Sequence, residues 1–259
     1  MACSCNPDGK LFTEDHRILV TGANSGIGQG IALQCNALGA TVIASGRNLE
    51  RLQDAKKQAA YPDLFQVEAR DLLLGMEDLP EWVQALRRKY GTLGGFVHSA
   101  GLGLTAPLRM YDLDAAMEQF AIHFHAPMLI AKGFADRRNN IGHGAAMLFL
   151  GSSSALVPVK AKVVYAAAKS ALLSAVRSLS KELGPQGIRV NAIAPALVET
   201  PMANNLKELM GEDVFAAELE GYPLGLGTPQ DIAAMACFLL SRQSRWVTGQ
   251  TILMDGGRY

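Results

Sequence analysis

From residue 17 to 195 the chain alternates short runs rich in β-branched residues with longer stretches patterned at helical spacing. A strand buries alternate residues or one continuous apolar run, whereas a helix repeats about every 3.6 residues, so regular alternation of the two builds βαβ units and a parallel sheet. The strand candidates are 17–21, 40–45, 64–69, 95–98, 145–150, 188–193 and 250–254. Helical patterns fall at about 27–38, 48–60, 79–90, 112–136, 163–184 and 229–241. No linker, repeat or low-complexity segment interrupts the run, which predicts one domain over 15–259 behind a flexible tail over 1–14. Residues 201–226 break the rhythm, and an irregular segment of that length in a compact domain predicts a substrate lid containing short helices.

Charge narrows the partners. Twenty-four Lys and Arg balance 24 Asp and Glu. With no long basic run there is no electrostatic reason to expect nucleic acid or an anionic membrane as partner. No apolar run approaches 18 residues, and the start of the chain lacks the basic and apolar segments of a signal peptide. The expectation is a cytoplasmic protein. Cys3, Cys5, Cys35 and Cys237 are too few and too scattered for a disulfide framework, and no third or fourth ligand near Cys3 and Cys5 makes them a metal site. The segments 163–183 and 115–134 are apolar nearly all round, as helices buried on both faces are. They predict a homo-oligomer, a dimer or tetramer.

Two motifs carry chemistry. In Thr21-Gly22-Ala23-Asn24-Ser25-Gly26-Ile27-Gly28 the glycines follow the first strand and open the first long helix. Glycines there let the backbone turn tightly and approach a pyrophosphate, while the helix N-terminus offers free N–H groups and the positive end of its dipole. Tyr165 and Lys169 stand four residues apart on a helical pattern, on one face. An ammonium about 4 Å from a phenol is worth roughly 4 kcal/mol at an effective dielectric near 20, enough to draw the phenol from about 10 toward neutral pH. Such a phenol exchanges protons usefully with a substrate.

With both motifs in place, the chain resembles the short-chain dehydrogenase/reductase family over nearly everything from Arg17 to Gly257. The resemblance implies an α/β fold of the Rossmann type, doubly wound around a mainly parallel seven-stranded sheet with helices on both faces. It also implies a nicotinamide cofactor and hydride transfer to or from a carbonyl or secondary alcohol. On this reading Tyr165 is the general acid/base, Lys169 lowers its pKa and holds the nicotinamide ribose, and Ser152 donates to the substrate oxygen. Gly22, Asn24, Ser25, Gly26, Ile27 and Gly28 cradle the pyrophosphate, Asp71 and Leu72 meet the adenine, and Ala100 and Gly101 pack under the cofactor. Pro195, Val198 and Thr200 meet the nicotinamide.

Several positions depart from the family pattern. His123, in Ile122-His123-Phe124-His125-Ala126-Pro127, occupies the place of a catalytic asparagine. Pro127 has no N–H, so on an α-helical count the carbonyl of residue 123 is freed to hold water. The imidazole is then a candidate proton carrier near pH 6 to 7, or a residue that packs or binds substrate. His98 replaces an asparagine of mainly structural role. After the second strand the position that holds an acid in NAD enzymes is Gly46, and Arg47 follows, which favours NADP(H) over NAD(H). The substrate stays open: a 3-oxoacyl-carrier-protein reductase of fatty acid or polyketide metabolism, using Arg137 and Arg138 to dock its carrier, is one alternative. From another class, a non-catalytic NADP-binding sensor or scaffold is a second.

Overall fold

The computed structural model describes residues 10–259. Seven strands form one parallel sheet in the order β3-β2-β1-β4-β5-β6-β7. They are β1 (Arg17–Thr21), β2 (Thr41–Gly46), β3 (Phe65–Ala69), β4 (Leu93–His98), β5 (Ala146–Leu150), β6 (Arg189–Pro195) and β7 (Thr251–Met254). The helices are α1 (Gly26–Ala37), α2 (Leu49–Gln58), α3 (Leu79–Tyr90), α4 (Leu113–Phe120), α5 (Ala126–Ala135), α6 (Val163–Leu183), α7 (Pro201–Met210), α8 (Glu212–Leu219) and α9 (Pro229–Leu240).

The sheet is buried on both faces, which is why its strands read as near-continuous apolar runs. Along β1, Ile18 and Val20 point into a core that includes Ile31 and Cys35 of α1 and Ile232 and Ala236 of α9. Leu19 points the other way, among Val83 of α3, Ile130 of α5 and Leu172 of α6. Cys35 and Cys237 are free thiols, their sulfurs 3.5 Å apart where α1 meets α9. Cys3 and Cys5 lie outside the described residues.

Three expectations need correction. Of the stretch read as a flexible tail, residues 10–14 are ordered against the domain: Phe12 is 3 % exposed and its N–H donates to the Leu38 carbonyl at 3.0 Å. An aromatic ring with an apolar pocket within reach gains more by burial than a tail loses in freedom. The single helix expected over 112–136 is two helices joined by a π turn over Ala121–His125, in which Ala126 N–H donates five residues back to Ala121. In that register Pro127 faces the Ile122 carbonyl rather than that of residue 123, and His98 Nε2 takes up the vacancy at 3.1 Å. Third, Arg137 and Arg138 lie beside Asn140, which bridges to Leu93 at the amino end of β4, away from the strand ends that hold the site.

Residues 201–226 contain two short helices, α7 and α8. No helix among the described residues is long and apolar enough to cross a membrane.

Candidate active site

After β1 the chain turns to α1 over one face, and β4 is laid on the other side of β1. The strand order therefore reverses between these two strands, and their carboxyl ends open into a crevice. Its floor depends on Gly22, where φ is +71° and a Cβ would sit 2.6 Å from the Ala100 nitrogen. A Cβ on Gly28 would run into the Gly22 carbonyl. The loops after β1 and β4 thus touch backbone to backbone. The cleft that results measures about 350 Å³.

Of the predicted cofactor residues, the glycine loop from Gly22 to Gly28, Arg47, Asp71, Leu72, Ala100, Gly101, Pro195, Thr200, Tyr165 and Lys169 all line this cleft. Val198 does not; it is 5 % exposed and accepts a hydrogen bond from Thr200 Oγ1 at 3.1 Å. The cleft also takes in Ser45, Arg51, Arg70 and Met202, which sequence reading missed. Arg51 had a signal, since it lies on the first turn of the helix that Arg47 precedes. Arg70 had none, because its place comes from a loop it closes on itself by donating to the Leu74 and Gly75 carbonyls at 3.1 and 2.9 Å.

These groups suit an anionic dinucleotide. Ser25 caps α1 without a side-chain bond and no acid stands in its first turn, so the N–H groups there face the cleft unopposed. Ser45 Oγ is buried with no partner. A Cβ on Gly46 would meet the Asn24 side-chain amide, which would have to turn aside.

At the other end of the cleft, the N-terminal part of α6 brings Tyr165 beside Ser152, which lies outside the lining and whose hydroxyl acts on the phenol. Ser152 also caps the short turn after β5 by accepting from Ser154 N–H at 3.2 Å, which fixes its position. Lys169 is 4 % exposed and donates to the Leu150 carbonyl at 2.6 Å. Burial pulls this ammonium down to about 7. The same crowding holds the Tyr165 phenol above its ordinary value, with Ser152 acting in the opposite sense. The sequence-based expectation was a lowered phenol; in the protein alone desolvation wins, because Lys169 spends its proton on Leu150 and its nitrogen lies 5.9 Å from the ring centre.

His123 is 1 % exposed and packs edge-on against Tyr165, the ring centres 5.3 Å apart. Its Nε2 donates to the Leu102 carbonyl at 2.9 Å, while Nδ1 has no partner. Burial, with Lys169 nearby, pushes its pKa well below the ordinary histidine value. That shift disfavours the charged ring on which a proton-carrying role would draw. Ala161, two residues before α6, has a φ of +60°. An L-residue held there costs on the order of 1 kcal/mol and persists only when its surroundings insist on it.

His98 ties the floor together. Its Nε2 donates to Ile122 O, leaving Nδ1 to accept from Thr21 Oγ1 at 3.0 Å. Burial first, then Lys169, lowers it from 6.5 to about 3. The folded-state pKa is below the unfolded one, so the unfolded chain takes up the proton first. Stability from this group is complete above pH 6.5 and is lost as pH falls toward 3, by roughly 5 kcal/mol at most. Urea unfolding across that window should show a smaller pH slope in His98→Asn, and an unchanged slope would contradict this account.

The sheet order, the glycine turn and the Ser-Tyr-Lys cluster at one crevice define a dinucleotide-linked oxidoreductase fold. A family model described as enoyl-(acyl carrier protein) reductase matches residues 22–258. The chain is 32 % identical over 250 residues to a 3-oxoacyl-[acyl-carrier-protein] reductase of Thermotoga maritima, covering 92 % of this chain and 96 % of that one. It is 30 % identical over 254 residues to an L-xylulose reductase of Caenorhabditis elegans, covering 94 % and 95 %. Among solved structures, a short-chain dehydrogenase/reductase from Brucella melitensis superposes with a TM-score of 0.87 at 27 % identity, covering 96 % of this chain and 99 % of that one. The chain belongs to the short-chain dehydrogenase/reductase family of oxidoreductases.

Proposed function

We propose that the protein is an NADP(H)-dependent oxidoreductase acting on a carbonyl or secondary alcohol, with Tyr165 as its general acid/base. What carries this reading is that Tyr165 and Lys169 line one end of a cleft, with Ser152 beside the phenol, while the glycine turn and an uncapped helix start form its other end. The nicotinamide, when bound, supplies or accepts the hydride. In reduction Tyr165 gives its proton to the substrate oxygen, and Ser152 Oγ donates a hydrogen bond to that oxygen as negative charge develops on it. Lys169 stands ready to hold the nicotinamide ribose, and the positive charge of an oxidised ring would pull the phenol back toward neutrality. The N-terminus of α1 takes the pyrophosphate, Asp71 and Leu72 the adenine, and Pro195 and Thr200 the carboxamide side.

Charge at the adenosine end supports NADP(H). Arg47, Arg51 and Arg70 line that end, and Gly46 carries no acid that would repel a 2′-phosphate. Arg47→Ala should weaken NADPH about tenfold, roughly 1.4 kcal/mol, with little change for NADH. Titration of the two nucleotides by fluorescence checks it, and equal losses would contradict it.

The substrate reading that a relative favours is a 3-oxoacyl thioester, since the Thermotoga protein is a 3-oxoacyl-[acyl-carrier-protein] reductase. Arg137 and Arg138 lend it no docking face. We also propose a homo-oligomer in the cytoplasm. Leu113 and Met117 of α4 and Val163 of α6 are 64, 62 and 56 % exposed, an apolar surface that a second copy would cover. Screening ketones, 3-oxoacyl thioesters and sugars with NADPH and NADH tests the activity. Nucleotide binding without turnover of any of them would favour the sensor reading.

A further inference from the structure

Lys162 lies just outside α6, three residues before Tyr165, and the family motif does not include it. Its ammonium sits 5.2 Å from the centre of the Tyr165 ring, nearer than that of Lys169 at 5.9 Å. Two features hold it there. Ala161, in the left-handed region at φ +60°, turns the chain into the helix. Its carbonyl accepts from Ala106 N–H at 2.8 Å, which ties the turn to the loop after β4. Among the described residues no carboxylate pairs with Lys162. No acid stands in the first turn of α6.

An unpaired cation beside a helix N-terminus is unfavourable on its own account, since both are positive. A ring that becomes anionic beneath it relieves that. A cation over an aromatic face is attracted to the neutral ring, and more strongly to a phenolate, whose charge spreads into the ring. We propose that Lys162 is a positioning residue acting through Tyr165: its ammonium stabilises the ionised phenol and so sets the pH at which the site gives and takes the substrate proton. The inference rests on the reading of Tyr165 as the acid/base group.

Around this ring the other candidates are weaker donors of charge. Lys169 is deeply buried, which lowers its ammonium, and that group is turned to the Leu150 carbonyl at 2.6 Å, farther from the ring than Lys162. Burial lowers Lys162 also, but the side chain is only partly enclosed and reaches solvent. His123 and His98 are buried, which disfavours their charged forms, and Ser152 acts only through its hydroxyl.

The decisive measurement is the ionisation of Tyr165 itself. Tyrosinate absorbance is followed against pH in the full chain, with the titration of Tyr165→Phe subtracted, for wild type, Lys162→Met and Lys162→Arg. Lys162→Met should raise the Tyr165 midpoint by about one pH unit, while Lys162→Arg stays near wild type. In alcohol oxidation the acidic limb of kcat/KM should move up by the same step, with the plateau and the KM for cofactor little changed. A merely structural lysine would depress the rate at every pH and leave both midpoints in place, and that result overturns the proposal. If the wild-type chain turns over nothing in the substrate screen, the oxidoreductase reading fails, while the tyrosinate titration still decides for or against Lys162.

Discussion

Tyr165→Phe is expected to lower kcat/KM by about 10²–10⁴-fold while leaving NADPH affinity within a few-fold of wild type. The substitution removes one oxygen and no ring atoms, so the edge contact with His123 and the approach of Lys162 are kept. On the proposed mechanism, what disappears is the proton that the substrate oxygen receives. The split between turnover and binding is the informative part. If Tyr165→Phe kept most of its activity, proton transfer would have to come from another group, and the assignment of this cluster would fall. Loss of cofactor binding together with turnover would instead show that the phenol shapes the cleft.

Gly22→Ala should act by the opposite route, through structure first. At φ +71° an L-residue is strained, and the new methyl would lie 2.6 to 2.8 Å from Ala100 N and Cα and from the Ser99 carbonyl carbon. These are backbone atoms and cannot step aside as a flexible side chain can. Left-handed strain and overpacking together place the loss at roughly 2–4 kcal/mol. For a chain of this size that is a fall in Tm of about 5–15 °C. Whatever protein remains folded should bind NADPH at least tenfold more weakly, because the turn and the loop after β4 must part. A Gly22→Ala chain with unchanged Tm and unchanged nucleotide affinity would mean that the two loops do not meet as described.

Much of this was legible because it is local. β1 spans the residues its apolar run marked out, and the glycine turn follows it directly, since strand periodicity and positive-φ glycines are properties of neighbours in sequence. Tyr165 and Lys169 share a helix face for the same reason: about 3.6 residues make a turn wherever the helix is. β4 begins at Leu93 rather than 95 because Leu93 pairs with Arg17 across a register shift that leaves Gly94 as the extra, unpaired residue, a long-range pairing that periodicity does not show.

The amino-acid sequence by itself therefore determined the order of strands and helices, the nucleotide turn and the spacing of Ser152, Tyr165 and Lys169. Only the tertiary structure decided the charge states and the partners. It shifted the frame of the helix at the π turn so that His98, from another strand, meets Ile122. It buried His123 so that its charged form is disfavoured, drew Arg51 and Arg70 to the cleft, raised the phenol that sequence spacing predicted would fall, and set Lys162 over its ring. The physical reason is that spacing along a chain fixes direction on one element, whereas desolvation and hydrogen bonding depend on what distant segments bring to the same place.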